Sequence, residues 1–122
     1  MASPIVHFQL TSNDPAATAQ YFADVFDWKV GPAVPGTAAS FDTGASQVIP
    51  NDIFLGGSVR QAPDGQAPAT TVYIRVADLD STLEKAVQHG GTIVMPRRDQ
   101  PGAPTVALVR TPDGMVVGVV QL

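Results

Sequence analysis

The stretch Thr70-Thr71-Val72-Tyr73-Ile74-Arg75-Val76-Ala77-Asp78-Leu79-Asp80-Ser81 decides how this chain reads. Its first seven residues are mostly β-branched or aromatic and alternate in polarity, which predicts a strand over 70–76. Asp78-Leu79-Asp80-Ser81 then opens a helix. Leu83, Ala86 and Val87 fall on one side of it, and Gly90-Gly91 ends it, because glycine takes up the left-handed conformation that closes a helix. Thr92–Met95, Thr105–Arg110 and Met115–Gln121 read as three further strands, with Pro96 and Thr111-Pro112-Asp113-Gly114 between them.

The same order occurs once before. Pro4–Leu10 reads as a strand. Asp14 is a helix N-cap, its carboxylate accepting from free N–H groups of the first turn, and Pro15 suits the first helical position, where no N–H is needed. The helix runs to about Asp27, with Ala19, Phe22, Ala23 and Phe26 as its apolar stripe. Trp28–Val30, Ala38–Asp42 and Ile53–Val59 follow as strands. Gln61–Pro68 is polar and turn-forming, the best linker in the chain. Aligning Asp14 with Asp78 pairs Leu10 with Ile74. The expectation is one α+β domain over 1–122, built of module one (1–60), a linker (61–68) and module two (69–122), each strand–helix–three strands.

Composition excludes several classes of function. Among 122 residues there are 11 Gly and 11 Pro, which fits a folded chain with many sharp turns. Only 15% of residues are charged, against about 25% in a typical domain. That hints at a surface partly covered by a partner, or at a ligand pocket. The net charge is −4 and the sole adjacent basic pair is Arg97-Arg98, so nucleic acid is not expected as a partner. With no cysteine, disulfides and thiolate sites are excluded. Met1-Ala2-Ser3-Pro4 has no basic region followed by an apolar run, and no stretch approaches the ~18–20 apolar residues of a membrane span. A cytoplasmic location without membrane contact is the expectation.

The chain resembles the vicinal oxygen chelate superfamily, the glyoxalase/bleomycin-resistance/dioxygenase fold. Val6-His7-Phe8-Gln9-Leu10, Asp14, Tyr21-Phe22 and Phe26-Asp27-Trp28 are similar to its first module. The stretch 71–80 with Gly90-Gly91 is similar to its second, and Thr111-Pro112-Asp113-Gly114-Met115-Val116-Val117-Gly118 to its closing hairpin and last strand. The resemblance implies two paired βαβββ modules whose sheet curls around a central cleft for a small ligand, and a homodimer.

Metal-dependent members supply one ligand from each of four strands, and the resemblance maps those positions here. His7 takes the first, and an imidazole suits a first-row metal. The second falls near Gly56-Gly57, the third on Thr71 or Tyr73, and the fourth on Gly118, where metal-binding relatives carry Glu. One good ligand falls short of the roughly three protein ligands of a catalytic metal. The only Glu is Glu84, on the second helix, and His89 ends that helix. No metal and no cofactor is expected, against a metal-dependent glyoxalase or dioxygenase.

Strand alternation puts His7 and Gln9 on one face of the first strand, with Ile5, Phe8 and Leu10 mostly on the other. It likewise groups Thr71, Tyr73 and Arg75 apart from Val72, Ile74 and Val76. The polar sets are expected to face the ligand, with Phe54 lining the cleft or the core, and Asp42 the nearest acidic candidate. His7 suits a general base by its near-neutral pKa, Tyr73 a hydrogen-bond donor, and Arg75 a carboxylate partner. The expected ligand-binding set is therefore His7, Gln9, Phe54, Thr71, Tyr73 and Arg75. The expected function is metal-independent binding of a small, mostly apolar or aromatic molecule, for sequestration or resistance. The alternative is a metal-free isomerase or lyase using His7 or Tyr73 for proton transfer.

Overall fold

Strand β1 (Ile5–Ser12) runs two residues beyond the expected Leu10, until the Ser12 and Asp14 side chains turn the chain into a helix. This computed structural model describes residues 2–33, 37–44, 56–99, 101–102 and 104–121. Asp14 caps helix α1 (Pro15–Phe26) as expected, its carboxylate accepting from Ala17 N–H at 3.1 Å. Asp27 ends α1 in the left-handed conformation, at φ 58°. Strands β2 (Lys29–Gly31), β3 (Ala39–Asp42) and β4 (Gly56–Gln61) follow. The start of the expected 53–59 strand, with Phe54, lies outside the described residues.

Strand β5 (Ala69–Arg75), helix α2 (Leu79–Gln88) and strands β6 (Thr92–Arg98), β7 (Thr105–Arg110) and β8 (Val116–Gln121) complete the order. Asp78 caps α2 through Ser81 N–H. Gly90, at φ 93°, lets the chain turn out of the helix while Gly91 N–H closes on Ala86 O at 2.8 Å. One expectation fails at Pro96. It sits inside β6 instead of ending it, and the β6–β7 register shifts on either side of Met95. In its unit's sheet β6 is the terminal strand, where a residue without N–H is tolerated.

The chain divides into two compact units, Val6–Thr70 and Met1–Ile5 with Thr71–Leu122. In the first, the strand order is β2-β3-β4-β1, with β1 and β4 parallel and the other pairs antiparallel. In the second, the order is β6-β7-β8-β5, with β5 and β8 parallel. Each unit is thus a βαβββ module, as the repeated pattern predicts. A parallel pair needs a long crossover, which the helix and the two middle strands provide.

Each unit has its own core between helix and sheet. In the first, Leu10, Ala19, Ala39, Phe41 and Val59 are buried, with Phe8, Phe22 and Trp28 packed against them. Trp28 stacks on Phe22 at 4.8 Å between ring centroids and meets Phe41 edge-on at 5.3 Å. In the second, Val76, Leu79, Leu83, Ala107, Val109 and Val119 are buried, with Ile74 against them. Ile5, expected with the core set, is instead 47% exposed. By alternation it shares the parity of His7, not of Phe8.

Candidate functional site

With Phe8, Leu10, Phe41 and Val59 turned to the helix, alternation turns the intervening residues of the first unit to the other side of its sheet. Strand register then orders that helix-distal face into rows. One row runs Lys29, Asp42, Gly56, His7, since Lys29 pairs with Asp42 and His7 with Gly56, while Phe41 pairs with Gly57 next to them. The next runs Gly31, Ser40, Ser58, Gln9. Gly56 has no side chain, so the first row has a gap between Asp42 and His7. An open concavity of about 380 Å³ lies there, lined by His7, Lys29, Ser40, Asp42 and the Gly56-Gly57 backbone among others.

The hydrogen bonds of this face converge on Ser58, which is 1% exposed. His7 Nε2 lies 3.0 Å from Ser58 Oγ, and Gln9 Nε2 donates to the same oxygen over a longer 3.4 Å. A serine hydroxyl has one proton and two lone pairs. With Gln9 donating to it, the hydroxyl can donate to His7 Nε2 or accept from it through its second lone pair, so it pairs with either neutral tautomer of the imidazole. Partial burial pushes the His7 pKa below its ordinary 6.5, because desolvation disfavours the charged ring. The imidazole is therefore a neutral hydrogen-bonding group near pH 7.

A pH dependence follows from this. The unfolded chain binds a proton at His7 as pH falls through about 6.5, while the folded chain resists it to lower pH. The stability so contributed is fully present above 6.5 and is lost as pH falls toward the lowered folded value. Urea midpoints at pH 7.5 and 5.5 are expected to differ more in the wild type than in His7→Gln. Equal differences in the two proteins would contradict this.

The second unit positions its own candidates differently. Ile74 goes to the core and Tyr73 to the opposite face, as alternation predicts, but Tyr73 is only 7% exposed. It pairs in register with Gly118, and its ring lies over that glycine: a Cβ there would be 2.4 Å from Tyr73 Cδ1 and Cε1. Thr71 is partly buried and Arg75 is exposed. The Arg75 N–H donates to Pro4 O at 2.9 Å.

The four metal-ligand positions fit a metal poorly. In the first unit His7 faces Gly56, which offers no donor, and in the second the ring of Tyr73 covers the site of a side chain at Gly118. Among the described residues no three His, Asp or Glu side chains come together as a ligand set. Sequence reading singles out neither Ser58 nor Arg60, and takes Gly56 only as a ligand position without a donor. Their facing was legible from Val59, whose apolar side chain fixes the parity of β4. Asp42, left without a facing, belongs to the concavity, and its carboxylate accepts from Gly44 N–H at 2.8 Å.

Two βαβββ modules with this strand order define a family. The chain belongs to the Glyoxalase/Bleomycin resistance protein/Dioxygenase superfamily, whose model matches residues 4–119. CFP32 of Mycobacterium bovis, provisionally named a glyoxylase, is 28% identical over 116 residues, as is CFP32 of Mycobacterium tuberculosis. Each match takes in 92% of this chain and 43% of the relative, so the chain spans less than half the length of the curated relatives it matches. Among solved structures, the hypothetical protein BH1468 of Bacillus halodurans is similar at a TM-score of 0.71 and 8% identity, covering 100% of this chain and 96% of that one. Streptomyces coelicolor methylmalonyl-CoA epimerase, in complex with 2-nitronate-propionyl-CoA, is similar at 0.68 and 14%, covering 99% and 98%. At such identities the likeness is one of fold. Among the described residues no helix is long and apolar enough to cross a membrane.

Proposed function

We propose that this protein binds a small, mostly apolar or aromatic molecule without a metal, as a sequestering or resistance protein does. The observation that carries the reading is the helix-distal face of the first unit. There His7 and Gln9 are held in place on Ser58, and His7 borders a concavity that lies at Gly56 and is lined in part by Val30 and Phe41. A mostly apolar pocket with a few convergent polar groups is the usual small-molecule arrangement. Of the residues first expected to bind, His7 and Gln9 form this site. Thr71, Tyr73 and Arg75 are proposed as further ligand contacts on the second unit, and Phe54 as another.

A second reading has its own support. His7 is held neutral by burial, the state in which an imidazole accepts a proton. Solved structures with this fold include methylmalonyl-CoA epimerases. A metal-free isomerase or lyase with His7 moving the proton is therefore the alternative, with Tyr73 as a second candidate.

Native mass spectrometry of protein purified without added metal tests both the ligand and the assembly. The expected spectrum is a homodimer carrying an organic mass that is lost in Ser58→Val, with no metal adduct surviving mild chelation. A stoichiometric metal adduct that persists, and disappears in His7→Ala, would overturn the metal-independent reading. A mass of 12.7 kDa, that of one chain, would remove the homodimer.

A further inference from the structure

We infer that Arg60 binds an oxyanion, so that the ligand of this face carries a carboxylate or phosphate group. The inference rests on the proposed ligand face and adds the charge of what binds there. Arg60 follows Val59, which is fully buried in the helix-side core, so its side chain shares the face of Ser58. In register it lies opposite Thr11, of the same parity as His7 and Gln9. The Arg60 Nε is buried and meets no hydrogen-bond acceptor. Both ion pairs among the described residues belong to Arg97, on the other unit.

Its neighbours do not neutralise it. The Thr11 hydroxyl donates to Ala69 O, and the Gln61 amide donates to Asn13 O. The acid on this face among the described residues, Asp42, lies in the row of Gly56, four residues along β4 from Arg60 and so about 13 Å away at ~3.3 Å per residue. A guanidinium is a planar fork of five donors that stays charged at any working pH. Burying one of its donors without an acceptor costs free energy. Nε and one Nη together make the edge of the guanidinium that takes an oxyanion through two parallel hydrogen bonds, and of these Nε is buried. The neutral state of His7 leaves Arg60 the cation of its own part of the face.

The test uses the intact chain and NMR spectra of the arginine Nε–H groups. Sodium acetate and sodium phosphate are titrated separately at pH 7, against sodium chloride at matched ionic strength. One Nε–H signal, identified by its absence from Arg60→Met, is expected to move saturably with acetate, phosphate or both, and not with chloride. The stronger of the two arms identifies a carboxylate or a phosphate ligand. Arg60→Lys keeps the charge without the fork and is expected to bind the same anion at least tenfold more weakly, read from the rise in melting temperature with anion concentration. This second readout stands if Arg60→Met does not fold. An Arg60 signal that ignores both oxyanions, or that follows chloride equally, would overturn the inference. So would an organic mass retained by wild type and Arg60→Met alike but lost in Ser58→Val, which leaves the ligand face standing. Saturable oxyanion binding by a protein that retains no organic mass supports Arg60 and counts against the reading of the face.

Discussion

Gly57→Ala is expected to lower folding stability by about 3 kcal/mol, the upper part of the range for overpacked cores. A Cβ at Gly57 would lie 2.0 Å from Phe8 Cζ and 2.3 Å from Cε2, inside the ring's own volume. The ring cannot swing aside cheaply. It stacks on Phe41 at 6.3 Å with a 10° interplanar angle, and meets Trp28 at 5.4 Å. Relief must therefore come from shifting β4 or β1, whose pairing also sets His7 against Gly56. Urea denaturation of Gly57→Ala reads the loss. A double variant with Phe8→Leu should recover part of it, with a coupling energy above about 0.5 kcal/mol. A loss under 0.5 kcal/mol in the single variant would mean that the ring is not seated on this glycine.

Gly118→Glu is expected to cost a similar amount, about 3 kcal/mol, although it installs the ligand that the family resemblance implies for a metal-binding member. A Cβ there meets Tyr73 at 2.4 Å from two ring carbons and 2.8 Å from Cγ. These atoms are near the root of the side chain, so a rotamer change does not clear them without moving Tyr73 out of a buried position. The double variant Tyr73→Ala/Gly118→Glu should be more stable than the sum of the single losses allows. Strict additivity in a denaturation cycle would refute the packing account. The glycine at position 118 and the aromatic at position 73 are thus one structural fact, and a side chain at the first requires a change at the second.

Much of this was legible in the sequence. The two aspartate caps, at Asp14 and Asp78, mark where each helix starts because short-range hydrogen bonding fixes them. The order of elements followed from period and punctuation alone. Misreadings arose where tertiary pairing decides. Pro96 reads as a break in the sequence, yet a terminal strand does not need its N–H. Hydrophobicity groups Ile5 with Phe8 and Leu10, whereas its parity puts it with His7. The site was half legible: His7 and Gln9 were identified, but Ser58, the atom on which both converge, lies far along the chain, and only the β1–β4 register brings it there. Nothing in the local sequence around Arg60 marks it as a cation without a partner. That is a property of what surrounds it.

The His7–Ser58 hydrogen bond joins residues 51 positions apart, across a parallel pair of the first and last strands of one unit. Loop-closure entropy for such a contact must be overcome before any of its rewards arrive, which makes parallel pairings late and slow events in folding. The polar cluster cannot pre-exist in a fragment ending before β4, and it has no partly formed version in which His7 is correctly held. The His7 imidazole is accordingly a built-in reporter of chain closure. Its ring resonances should take native positions only when the crossover is complete.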